Sequence, residues 1–245
     1  ILLLPGCRKE TSILPLLKSV EKLIPMYADS ASVLLDSIQA PDELTDKDFA
    51  HWCMLCGKVT DEAATGLLPI YQWQRAQQWF TEHGTAEEQA QIDLYLGRAY
   101  VEDGEYDKAM QIYADALQLA KEHQAYNVAG YICAYMADLY GFRDITSECL
   151  KKREEACEFF KKAENYKSYA YSLKDLAGEW AILDSFACTI PLLQKADSIS
   201  QLLHNKNLTA AIANAFALIY EMQGKYNEAE TAYLKAISTR SEESY

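Results

Sequence analysis

Residues 94–113 read "LYLGRAYVEDGEYDKAMQIY". Gly97 and Tyr100 stand three apart, so on a helix they share a face. Gly104 interrupts that helix. Beyond it Ala109, Tyr113 and Ala116 follow at spacings of four and three, again one helical face. Small residues let two antiparallel helices approach closely, and large ones fill the space beside the crossing. The stretch predicts a helix hairpin.

The order recurs. A shift of 40 residues, without a gap, places Tyr100 on Tyr140, Trp180 and Tyr220. The same shift carries Ala116 to Ala156, Ala196 and Ala236, and Gly97 to Ala137, Ala177 and Ala217. One step upstream, Gly97 falls on Gly57 and Ala116 on Ala76, in a degenerate copy with Thr60 at the aromatic position. Self-similarity at a fixed period marks a repeat array. The predicted units are about 50–84, 90–123, 130–163, 170–203 and 210–240. Upstream, Ser12–Leu23 and Asp29–Ile38 read as helices parted by Pro25, so residues 8–49 predict an N-terminal helical hairpin.

Composition agrees with helix throughout. Half of the 245 residues are hydrophobic, and Gly and Pro number only 10 and 6. The net charge of −13 repels phosphate backbones and argues against nucleic acid as a partner of this segment. The run 151–164, KKREEACEFFKKAE, alternates charges at i, i+4 spacing and reads as a solvated helix.

The motif L-G-x-x-Y followed by G-x-Y-x-x-A-x-x-x-Y-x-x-A resembles the tetratricopeptide repeat. The likeness is strongest at 90–123 and 210–240, and weaker where Arg153 and Leu193 replace the second-helix tyrosine. That family repeats at about 34 residues, against 40 here. The resemblance implies an all-α, right-handed α-α superhelix, a tetratricopeptide-like solenoid. It also implies partner-facing positions on the first helix of each unit. These are Gln91, Leu94, Arg98 and Val101 in one unit, then Tyr131, Ala134, Asp138 and Gly141. The next units supply Tyr171, Lys174, Gly178 and Ala181, then Ala211, Asn214, Leu218 and Glu221. The expected groove rests on Gln91, Arg98, Tyr131, Asp138, Tyr171, Lys174, Asn214 and Leu218. Tyr131 and Tyr171 would be aromatic anchors. A carboxylate clamp of Lys and Asn in one unit, used by some members of the family, is broken here because Gly178 follows Lys174.

The opening "ILLLPGCRKE" is similar to a bacterial lipoprotein cleavage site, with Cys7 as the lipidated residue. "ADSASVLLDSI", with the Pro-Asp-Glu loop after it, resembles the opening hairpin of bacterial envelope-associated tetratricopeptide proteins. Together these imply a periplasmic, lipid-anchored protein; the alternative is cytoplasmic. The sequence stops directly after a second helix, without the polar cap of a solenoid, and this predicts a chain continuing beyond Tyr245.

Catalytic motifs are lacking: there is no G-x-S-x-G, H-E-x-x-H or G-x-x-x-x-G-K. Cys53 and Cys56 form a C-x-x-C, but no second such pair or His pair follows at zinc spacing, so they read as helix packing. The cysteines after Cys7 are expected reduced and buried. No cofactor or metal is expected. The sequence thus predicts a non-catalytic scaffold for a protein or peptide, a sensor or adaptor in the resemblance's terms. The alternative is a receptor whose groove closes on a small ligand, a signal peptide or glycan.

Overall fold

Tyr100, Tyr140, Trp180 and Tyr220 each stand near the end of a helix, and their carbonyls close the turn that follows. Glu105, Ile145, Ser185 and Lys225 donate their backbone N–H groups to those four carbonyls at 2.8–2.9 Å. The same six-residue closure joins Ala125 to Ala120, Asn165 to Phe160 and Asn205 to Ser200. Inside each closure one residue takes the left-handed conformation that ends a helix in this way. These residues are Gly104, Gln124, Asp144, Glu164, Asp184, His204 and Gly224, with φ between 49° and 78°.

The structure, a computed structural model, describes residues 13–63 and 65–241. Those residues form eleven α-helices and one short 3-10 turn, Pro41–Glu43, with no strand among them. The helices are α1 (Leu14–Asp36), α2 (Asp46–Ala63), α3 (Ile70–His83), α4 (Ala86–Glu102), α5 (Tyr106–Glu122) and α6 (Tyr126–Phe142). They continue as α7 (Thr146–Lys162), α8 (Tyr166–Ile182), α9 (Phe186–Leu202), α10 (Lys206–Met222) and α11 (Tyr226–Ser241). From α4 to α10 every helix has 17 residues and every link three. The fold is a tetratricopeptide-like solenoid of helix hairpins. Cys7 and the residues after 241 lie outside the described residues. No described helix is long and apolar enough to cross a membrane.

The chain divides into two compact units, Ile1–Ala116 and Leu117–Tyr245. In the first, α1 contains Pro25 and leaves helical geometry at Tyr27, where φ is −142° and ψ 54°. Its two halves run in opposite senses along α2. The Ile13 N–H donates to Asp48 Oδ2 and Glu21 pairs with Lys58, so the first half runs with α2. Trp52 Nε1 donates to the Leu35 carbonyl, so the second half runs against it. The connection into α2 is held by α3. Arg75 binds Asp46 at 2.8 Å and the carbonyls of Asp42 and Leu44, with its guanidinium 4.1 Å above the Phe49 ring. Trp73, Phe49, Phe80, Tyr95 and Leu96 fill the core of this unit.

Close helix approach depends on glycine at defined points. An added Cβ on Gly57 would lie 2.4 Å from the Tyr95 ring, and one on Gly97 2.3 Å from the Tyr113 ring. In the second unit α6–α7, α8–α9 and α10–α11 are the hairpins. Gly130 admits Phe160 in the same way. Successive first helices are tied side by side. Asn165 donates to Asn127 at 2.8 Å, Tyr131 OH meets Ser168 Oγ at 2.8 Å, and α10 touches α8.

Candidate functional site

Residues 131, 134, 138 and 142 follow one another at spacings of three, four and four, which keeps them on one stripe of α6. The equivalent stripes on α8 and α10 carry Tyr171, Lys174, Gly178 and Ile182, then Ala211, Asn214, Leu218 and Met222. These stripes, all in the second unit, form the candidate binding face.

Its inner part is occupied by the fold's own bonds. Tyr131 is half-buried, hydrogen-bonded to Ser168 and set edge-on to Phe160 at 4.8 Å. Asp138 is bound by Arg153 at 2.6 Å, and Arg153 reaches on to Glu179 at 3.4 Å. The arginine that replaces the repeat's tyrosine therefore bridges three helices. Lys174 pairs with Asp175 at 2.6 Å and stands 6.0 Å from the Tyr171 ring centre. Asn214 is half-buried and has no side-chain hydrogen bond among the described residues.

The outer part is apolar and open. Phe142, Ile182 and Met222 are 79%, 71% and 53% exposed, and Leu218 is 54% exposed. The first three hold the same place in three successive hairpins, the last residue of each first helix. The sequence reading ended one residue short of them, at Gly141, Ala181 and Glu221. It also placed Leu94 and Ala181 outward, whereas both are 2% exposed. Ala181 packs in a cluster with Leu193 and Ile219. The 40-residue self-alignment would have found the exposed column, since Phe142, Ile182 and Met222 fall on one another.

In the first unit, Gln91 and Arg98 serve the fold. Gln91 donates to Tyr95 OH at 3.1 Å, Tyr95 OH donates to Asp61 Oδ2 at 2.8 Å, and Arg98 binds the other oxygen of Asp61. Burial raises the pKa of Asp61, and the bonds from Arg98 and Tyr95 offset part of that rise. Asp93, on the same helix, accepts from Gln77 at 2.7 Å. Burial pushes its pKa up to about 6, with Asp115 adding to the effect.

The six described cysteines are unbridged, and Cys188 departs from the expectation by being exposed. Burial raises the thiol pKa of both Cys53 and Cys56, which keeps them protonated and unreactive. Among the described residues no three His, Cys, Asp or Glu side chains are grouped to hold a metal ion.

Two stretches match family models described as tetratricopeptide repeats, residues 96–124 and 209–243. A search of curated proteins found no match. Solved structures share the fold at low identity. BtubC from P. vanneervenii is 16% identical, with 96% of this chain and 93% of that one covered and a TM-score of 0.65. The apo form of RapI is 15% identical over 91% of this chain and 95% of its own, with a TM-score of 0.63. A Rap protein complexed with Competence and Sporulation Factor is 16% identical over 95% of this chain and 66% of its own, also at 0.63. Two segments of the chain thus match tetratricopeptide repeats, and its three-residue turns and its likeness to these solved structures give it a tetratricopeptide-like fold.

Proposed function

We propose that the chain is a non-catalytic scaffold that binds a protein or peptide along the first helices of its second unit. One observation carries this reading: Phe142, Ile182 and Met222 are large, apolar and exposed in three consecutive hairpins. Exposed apolar surface in a row marks an interaction site. Packed helices stand about 8–10 Å apart, which is about three residues of an extended chain. The partner segment is therefore extended in the polyproline II manner, whose three residues per turn bring every third, apolar side chain to the same side. Lys174 and Asn214 lie inward of that row to meet its backbone carbonyls. That a Rap protein of the same fold was solved with Competence and Sporulation Factor supports a binding role. One recess of this unit, about 400 Å³ between α9, α10 and α11, is lined by neither Tyr131 nor Tyr171 and lends the small-ligand alternative no support.

Peptide display selection on the wild-type protein should enrich sequences with apolar residues three apart. A variant carrying Phe142→Ser, Ile182→Ser and Met222→Ser together should lose at least about tenfold in affinity, about 1.4 kcal/mol, with unchanged helical content. Equal affinity in that variant would refute the assignment. Tethering by a lipid on Cys7, in a periplasmic setting with a sensor role, is proposed on the sequence alone. An acylated Cys7 in the mass of the protein from its native membrane is the expected finding.

A further inference from the structure

Lys18, Lys22 and Lys47 are the described cations of the first unit that have no carboxylate partner among the described residues. The other four are engaged: Lys58 with Glu21, Arg75 with Asp46, Arg98 with Asp61 and Lys108 with Glu105. Two of the three unpartnered lysines, Lys18 and Lys47, stand on the rim of one cavity. In a chain with a net charge of −13 that concentration is a local exception.

The cavity measures about 380 Å³ and opens between the first half of α1, α2 and the ends of α3 and α4. Its walls include Leu17, Met54, Leu55 and Phe80, all at most 6% exposed. His51 also lines it. The ring's Nδ1 donates to the Lys47 carbonyl at 2.7 Å, and the ring packs in a T-shaped contact with Trp79 and a tilted one with Phe80. That hydrogen bond leaves Nε2 as its remaining polar atom. The two acids at the rim are already satisfied: Glu21 pairs with Lys58 at 2.9 Å, and Glu88 closes the capping box of α4 with Thr85 at 2.9 Å.

We propose that this cavity binds a small amphiphilic carboxylate, its apolar body among Leu17, Met54, Leu55 and Phe80 and its anionic head on Lys18 and Lys47. The volume stands at the low end of small-molecule sites, about 300–1,000 Å³, and two lysine heads over an apolar floor complement an anion with a hydrocarbon tail. Two sources share that chemistry: a free medium-chain fatty acid, and the C-terminus of a peptide ending in an apolar residue. The site is independent of the face on α6, α8 and α10.

The test is calorimetric titration of the full chain with decanoate, with decanol, and with acetyl-Gly-Gly-Leu as the free acid and as the amide. Decanoate or the free-acid peptide binds, and whichever binds identifies the source. The uncharged partner of each pair is at least tenfold weaker. The double variant Lys18→Gln, Lys47→Gln, both at exposed positions, also loses at least tenfold at unchanged helical content. Raising salt to 0.5 M weakens the wild type toward the double variant. No heat from either acid at millimolar concentration overturns the proposal, and so does equal binding of acid and uncharged partner or equal binding by the double variant.

Discussion

Replacing Gly97 by alanine puts a methyl group where Tyr113 already stands. The added Cβ would lie 2.3 Å from Cε1 of that ring and 2.7 Å from Cδ1. Comfortable carbon contacts are about 3.5–4.0 Å, so the overlap exceeds about 1 Å. Tyr113 is 0% exposed, and its ring has nowhere to retreat. Overpacking of this kind costs about 1–3 kcal/mol. Alanine returns about 1 kcal/mol over glycine in a helix interior. The net expectation is a loss of up to about 2 kcal/mol. Gly178 supplies the control, since it too lies inside a 17-residue helix but has nothing within 4 Å of an added Cβ. Gly178→Ala keeps the propensity term alone and should gain up to about 1 kcal/mol. Urea titrations followed by far-UV circular dichroism should therefore shift in opposite directions for one chemical change. Adding Tyr113→Leu to Gly97→Ala should cost less than the two single losses summed, because the clash is shared. A Gly97→Ala protein at least as stable as wild type, beside the expected gain at Gly178, would refute the packing explanation.

Two further stability predictions rest on single residues. Asp93 has its pKa raised from 3.8 to about 6 by burial. The native state thus holds a proton that the unfolded chain has released, and the group's contribution is present below about pH 4 and lost as pH rises through 6. Discounted for partial exposure, Asp93→Asn, which keeps an acceptor for Gln77, should add about 1–2 kcal/mol at pH 7.5 and little at pH 4. Urea midpoints at the two pH values check it; an equal gain at both would point away from charge. At the turns, Gln124→Gly and Glu164→Gly should each add about 0.5–1 kcal/mol by relieving left-handed geometry. Asp184→Gly should add less, since Asp tolerates that region better. Thermal melts ranking Asp184→Gly above the other two would contradict this.

The repeat was legible because size decides helix crossings, and size is written in the sequence: Gly57 and Gly97 admit Tyr95 and Tyr113, and nothing larger fits. The break at Pro25 was legible from its missing N–H, whereas the non-helical residue itself is Tyr27, two places on. The turns were half-hidden. Only Gly104 and Gly224 announce a left-handed residue, and five others adopt it without glycine because the closing hydrogen bond imposes it. The exposed apolar column was harder still. Positions carried over from the family put Leu94 and Ala181 outward, and neighbouring helices cover both. The first-unit cavity has no sequence signature, since it draws on four helices whose order along the chain does not reveal their adjacency.

The three-residue links carry a mechanical consequence. Each is closed by a six-residue hydrogen bond, so none has spare length to act as a hinge. A ligand lying across α6, α8 and α10 has no loop to open or close. It can only tilt or slide whole rods of about 25 Å against one another. Within the second unit a bound segment would be felt as a small, distributed change of pitch, carried by the Arg153 bridge and the Asn165–Asn127 bond together. Mechanically this unit is a coil spring, and its spring constant resides in side-chain contacts between helices.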